Sequence, residues 1–166
     1  MQRILLVRHA AAADRDRKRW PDDRQRPLTS DGIAKFRRAA AGLATLAGPI
    51  ERLLTSPLVR ARQTAMLLHE VAEWPEPVEA PELAPERTPA QALKLVREAA
   101  VESIALVGHE PNLSELLAVC IAGPAIAIGC GLKKGGAASI TFEGEARPGQ
   151  GTLDWLLTPK LLRACR

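Results

Sequence analysis

The sequence predicts a three-layer α/β/α sandwich with a mostly parallel central sheet, built by residues 1–166 as a single domain. Three observations point there. Short aliphatic runs alternate with amphipathic helical segments, the pattern of parallel strands joined by crossover helices. The length of 166 residues fits one domain and is enough to bury a core without disulfide or metal staples. Hydrophobic residues make up 46% and charged residues 25%, a globular balance.

Residues 4–7, ILLV, form an unbroken aliphatic run and read as a buried strand. Residues 10–28 are polar and charge-rich, contain Pro21 and Pro27, and read as a loop. A helix is expected from 30 to about 47, because Ile33, Phe36, Ala40 and Leu43 recur at helical spacing and Gly48-Pro49 stops it. Residues 50–55 supply a second strand. Ser56-Pro57 reads as an N-cap with proline at the first helical position, opening a helix that runs to about 73.

Pro75, Pro77, Pro81, Pro85 and Pro89 make 74–89 an extended connection, followed by a helix to about 100. Residues 103–107, SIALV, are a third aliphatic strand ending at Gly108-His109. Asn112 and Glu115 give an N-x-x-E start for the next helix. Residues 116–132 carry no charge, but Gly123-Pro124 divides them into a helix end, a turn and a loop, too short for a membrane span. Residues 138–142 and 152–157 are two further strands, joined by a hairpin-like 144–151.

Composition excludes several functions. Aromatic residues are 3% with no Tyr, which leaves no stacking platform for single-stranded nucleic acid. Arg15, Arg17, Lys18 and Arg19 form a charge run of the kind that usually is a solvated loop, so no nucleic-acid partner is expected. Cys120, Cys130 and Cys165 are odd in number and form no C-x-x-C pair, which fits neither a disulfide framework nor a zinc knuckle. The start, MQRILLVRHA, lacks the features of a signal peptide, and a cytoplasmic location without membrane attachment is expected. The net charge of +4 fits an anionic partner without naming it.

Two of the three histidines directly follow aliphatic strands, His9 after ILLVR and His109 after IALVG. Ligands of open α/β sheets bind at the carboxyl ends of strands, so both would face one edge. His69, mid-helix, reads as a surface or packing residue. Arg8 precedes His9, and Arg60 lies in the first turns of the Ser56-Pro57 helix. Arginine forks match phosphate oxygens, and a helix N-terminus adds free N–H groups. Together Arg8, His9, Arg60 and His109 would make a cationic pocket for a phosphoryl group, although an arginine alone is more often a surface ion pair. Arg62 falls roughly 200° around the helix from Arg60 and cannot share that pocket.

The motifs now reach a family. LLVRHA (residues 5–10), RPLTSDG (26–32), TSPLVRARQTA (55–65) and LVGHEPNLSEL (106–116) resemble, in order and spacing, the signatures of the histidine phosphatase, or phosphoglycerate mutase-like, superfamily. The resemblance covers residues 4 to about 159. It implies that His9 is the nucleophile that becomes a phosphohistidine, with Arg8, Arg60 and His109 binding the phosphoryl oxygens. It implies no cofactor and no metal. Ala10 departs from the family's glycine. The family often uses a carboxylate after the S-P-x-x-R helix as proton donor; Glu82 matches best, with Glu79, Glu86 and Glu110 as rivals.

Only 49 positions separate Arg60 from His109, leaving no room for the large cap insertion of bigger members. An open site suits a phosphorylated protein surface, and the length and the RPLT and PEL segments look most like SixA-type phosphohistidine phosphatases. The expected function is therefore a metal-independent phosphatase acting on phosphohistidine in a protein. A small-molecule phosphomonoesterase is the alternative within the superfamily, and a non-catalytic phosphate-binding module is the alternative outside enzymes. Lys133 and Lys134 read as a solvated turn or as a rim contact with an acidic protein partner. The oligomeric state stays open.

Overall fold

The computed structural model describes residues 1–165. A single six-stranded sheet forms its centre, in the order β3-β2-β4-β1-β5-β6. The strands are β1 (Gln2–Arg8), β2 (Arg52–Thr55), β3 (Val78–Glu79), β4 (Ser103–Gly108), β5 (Ala137–Phe142) and β6 (Thr152–Leu157). The neighbours β3, β2, β4 and β1 run parallel; β5 pairs antiparallel with β1, and β6 pairs antiparallel with β5. The helices are α1 (Ser30–Ala47), α2 (Val59–Ala72), α3 (Pro89–Ala99), α4 (Asn112–Ala122) and the short α5 (Pro159–Leu162).

The aliphatic runs are buried because both faces of the sheet are covered. Successive side chains of a strand point to opposite faces. Leu5 and Val7 of β1 therefore join Phe36, Leu43 and Leu68 of α1 and α2 in one core, while Ile4 and Leu6 join Leu93, Val96, Leu116 and Leu117 of α3 and α4 in the other. This is the expected three-layer sandwich.

Chain path then creates a crevice. β1 and β4 are adjacent and parallel, but β1 leads into α1 on one face and β4 into α4 on the opposite face. Diverging connections leave a gap at the carboxyl ends of the two strands, where ligands of such sheets bind.

Three local expectations are corrected. Helix α2 starts at Val59 with Leu58 as its N-cap, not at Ser56-Pro57. Ser56 Oγ still accepts the Leu58 N–H at 3.4 Å, but Ser56 itself is fully buried beneath the site. Asn112 does not cap α4: the helical path begins earlier, with the His109 carbonyl accepting the Leu113 N–H at 3.0 Å, and the Asn112 amide donates to the Arg87 carbonyl instead. The proline-rich connection is not wholly irregular, since it contains β3 and a 3-10 turn at Pro81–Leu83. Two caps escaped the sequence reading: Thr29 accepts from Gly32 N at the start of α1, and Thr88 with Gln91 forms a capping box at the start of α3.

Candidate active site

His9 and His109 sit one residue beyond β1 and β4, and the pairing of Arg8 with Gly108 sets them side by side. The His9 N–H continues the ladder to the Gly108 carbonyl at 3.1 Å. Their ring centroids are 5.1 Å apart and the planes are tilted by 54°. Both residues are buried.

His9 Nδ1 lies 2.7 Å from the Ala10 carbonyl oxygen. A carbonyl only accepts, so Nδ1 carries the ring proton and Nε2 keeps its lone pair. Burial pushes the His9 pKa down to about 4, helped by the positive charges of Arg60, Arg8 and Lys134. His109 is pushed down to about 3, by burial first and then by His9, Arg60 and Arg8. His109 Nε2 is 2.8 Å from the Ser56 hydroxyl. The site therefore presents two neutral imidazoles at pH 7, one held by a carbonyl and the other by a buried hydroxyl.

The histidines open into a cavity of about 350 Å³ that Arg8, Arg15, Arg26, Arg60 and Lys134 also line. Arg8 Nη1 donates to the Leu132 carbonyl at 2.7 Å. Arg60 Nη1 donates to the Asp23 carbonyl at 2.8 Å, and its Nη2 pairs with Asp23 Oδ2 at 3.2 Å. The Nε of both arginines is buried and has no partner among the described residues. Buried donors normally find acceptors; an orphaned guanidinium N–H on each of two arginines that line one cavity with the two histidines fits an oxyanion ligand. Among the described residues, no three or more His, Cys, Asp or Glu side chains converge.

The loop after β1 completes the wall. It is closed at its base by an Ala12–Leu28 bridge and by Ala13 N–H donating to the Pro27 carbonyl at 2.9 Å. Within it, a 3-10 turn at Asp23–Gln25 places the Asp23 carboxylate between two arginines. Arg26 Nε donates to Asp23 Oδ1 at 2.8 Å, and Arg26 Nη1 to the Ala13 carbonyl at 2.7 Å. The hydrogen bond from Arg26, and then the charges of Arg60, Arg26 and Arg15, hold the Asp23 carboxyl below the usual range. Thr64 Oγ1 accepts the Ala10 N–H at 3.0 Å and donates to the Arg60 carbonyl at 2.7 Å, tying the segment after His9 to α2.

Arg8, His9, Arg60 and His109 thus come together as expected. Glu82 does not. The turn at Pro81–Leu83 buries Leu83 and directs Glu82 into a separate depression with Arg52, Leu54 and Glu98. Glu79 pairs with Arg62 at 3.1 Å along a larger groove that contains neither histidine, and Glu86 pairs with Arg24 at 3.7 Å on the surface. Glu110 alone of the four carboxylates lines the cavity, and both of its oxygens already accept hydrogen bonds. Lys134 lines the cavity and Lys133 is exposed beside it. Arg26, Asp23, Ser56 and Thr64 were not assigned to the site from sequence. Arg26 stood in the R-P-L-T segment and Ser56 in T-S-P, but neither motif says what its side chain touches.

A family model, the histidine phosphatase superfamily (branch 1), matches residues 4–85. An uncharacterized protein of Picosynechococcus sp. is 38% identical over 115 residues, 68% of each chain. The chain belongs to the histidine phosphatase superfamily. It is also similar to the phosphohistidine phosphatase SixA of Escherichia coli, at 29% identity over 170 residues and 98% of each chain. The structure of the protein histidine phosphatase SixA complexed with tungstate superposes with a TM-score of 0.83 at 27% identity, covering 97% of this chain and 99% of that one. Membership of this superfamily and the similarity to SixA support a phosphatase. No described helix is long and apolar enough to cross a membrane.

Proposed function

We propose that the chain removes phosphate from phosphohistidine in a protein, through a phosphorylated His9. One observation carries this reading: a neutral His9 with its lone pair on Nε2, set beside buried guanidinium donors that lack partners. Nε2 would attack phosphorus as the P–N bond to the substrate imidazole breaks. Arg8, Arg60 and His109 would hold the equatorial oxygens, where most of the stabilisation of phosphoryl transfer arises. Water would then attack phospho-His9, releasing inorganic phosphate and restoring the neutral ring.

Two features support the substrate class. The segment between α2 and β4 is taken up by β3, a 3-10 turn and α3, and the apolar face of α3 packs into the core through Ala92, Leu93 and Val96. Only Pro85 of this segment lines the cavity, so the segment builds no cap over it, which favours a macromolecular substrate. Second, none of the four glutamates is free at the cavity: Glu82 is outside it and the Glu110 oxygens are engaged as acceptors, which leaves the exposed Asp14 as the other carboxylate of its lining. An ester would need a proton donor for its leaving oxygen. A phosphohistidine ring protonated in solution leaves as neutral imidazole without one.

The test is phosphate release in EDTA from a phosphohistidine peptide and from an aryl phosphate, side by side, with His9→Ala as control. The proposal expects release from the peptide to dominate and to vanish in the variant. Preference for the ester would move the substrate to small phosphomonoesters. No release from either would leave a phosphate-binding module.

A further inference from the structure

Glu110 directly follows His109, lines the cavity, and is unused by the chemistry proposed above. Its Oε1 accepts the Leu132 N–H at 2.6 Å, and its Oε2 accepts the Ser114 hydroxyl. The carbonyl of the same Leu132 accepts Arg8 Nη1 at 2.7 Å. The next residues wrap the Arg8 backbone. Gly135 N–H donates to the Arg8 and His9 carbonyls at 3.1 and 3.0 Å, and Arg8 N–H donates to the Gly136 carbonyl at 3.0 Å. Gly135 has a φ of +76°, and a Cβ there would come within 3.2 Å of Phe36, so this tight passage requires glycine.

We propose that Glu110 is a positioning residue: by gripping Leu132 it fixes the carbonyl that orients the Arg8 guanidinium, and so couples the His109 segment to the phosphate-binding arginine of β1. The inference rests on the reading of Arg8 as a phosphoryl ligand. A turn without regular secondary structure would otherwise carry the Leu132 carbonyl, and Arg8 would lose the one hydrogen bond among the described residues that directs its fork. The carboxylate acts as a double acceptor, not as an acid.

Glutamine separates these roles. Glu110→Gln keeps a carbonyl oxygen for the Leu132 N–H, and its amide can donate to Ser114 Oγ, whose own proton goes to the Pro111 carbonyl 2.9 Å away; it gives up only the long 3.4 Å contact from the Ser114 N–H. Glu110→Ala keeps neither contact. The measurement is the tungstate dissociation constant by calorimetry, together with kcat/KM and its pH profile, in wild-type and Arg8→Ala backgrounds. Glu110→Ala should weaken tungstate about tenfold and lower kcat/KM by up to about 10²-fold, the scale of a small misplacement of a reacting group. Glu110→Gln should recover most of both losses with the pH profile of the wild type. In the Arg8→Ala background, Glu110→Ala should add no further loss.

If Glu110→Ala does not fold, Ser114→Ala carries the test: tungstate should weaken about threefold, and only when Arg8 is present. Wild-type affinity in the alanine variant, or an additive loss without Arg8, would overturn the proposal. So would a glutamine variant as impaired as alanine with an altered pH profile, which would make Glu110 a proton donor. Tungstate binding needs no turnover, so a chain that binds it but releases no phosphate would refute the phosphatase reading and leave this one standing.

Discussion

The His9 and His109 rings lie 5.1 Å apart, and each is fixed by one hydrogen bond, to the Ala10 carbonyl and to the Ser56 hydroxyl. Two imidazolium ions cannot share that space beside Arg8 and Arg60. Burial first, and then the neighbouring positive charges, keep both rings neutral well below the ordinary histidine range, to about pH 4 for His9 and about pH 3 for His109.

That has a thermodynamic consequence. Unfolded histidines protonate near 6.5 while these two stay neutral in the folded chain, so between pH 6.5 and about 4 the unfolded state binds more protons. Stability is full above 6.5 and falls with acid. Each histidine contributes up to about 1.4 kcal/mol per pH unit in that window. Denaturant titrations from pH 7 to 4.5 should show the slope, and His9→Ala should reduce it. NMR should find both rings unprotonated at pH 5.5; a midpoint near 6.5 for either would contradict the site description.

Ser56→Ala should cost about 1–3 kcal/mol, because it leaves His109 Nε2 buried without a partner. Thermal or urea unfolding reads the loss. Activity should fall less than in His109→Ala, since the ring remains.

Asp23 ties Arg60 and Arg26 into the wall. Asp23→Ala frees the Arg60 Nη2 contact and also removes a negative charge that opposes phosphate. The two effects separate in steady-state kinetics: kcat should fall about tenfold, while KM stays level or drops. A rise in KM at constant kcat would mean that Asp23 contacts substrate rather than positioning Arg60.

The two lysines of the turn before β5 must be tested apart. Lys134 lines the cavity and raises its positive potential, so reversing it should harm every phosphorylated substrate. Lys133 is exposed outside it. Lys133→Glu should lower kcat/KM several-fold on a phosphohistidine protein and spare an aryl phosphate. Equal losses on both would exclude a rim contact.

The aliphatic runs ILLV and SIALV made β1 and β4 legible, because a strand covered on both faces leaves no polar alternation. His9 and His109 were legible for a related reason: the end of such a run fixes the position of the next residue in a parallel sheet. The start of α2 was not. Ser-Pro obeys capping statistics, but burial of Ser56 against His109 overrides them. Glu82 misled because its motif places it in the chain without giving the turn that Leu83 burial imposes. Asp23, Arg26 and Glu110 act through long-range contacts with loop carbonyls and N–H groups, which spacing along the chain does not encode.

The proposed reaction passes through a phosphoryl group carried on His9. Its most direct test is to mix the chain with a ³²P-labelled phosphohistidine protein, quench in alkali within the first turnover, and map the label by mass spectrometry. Label is expected on His9, stable in base, released by acid, and absent from His9→Ala. Turnover with no labelled intermediate, or an acid-stable label on any other residue, would contradict it.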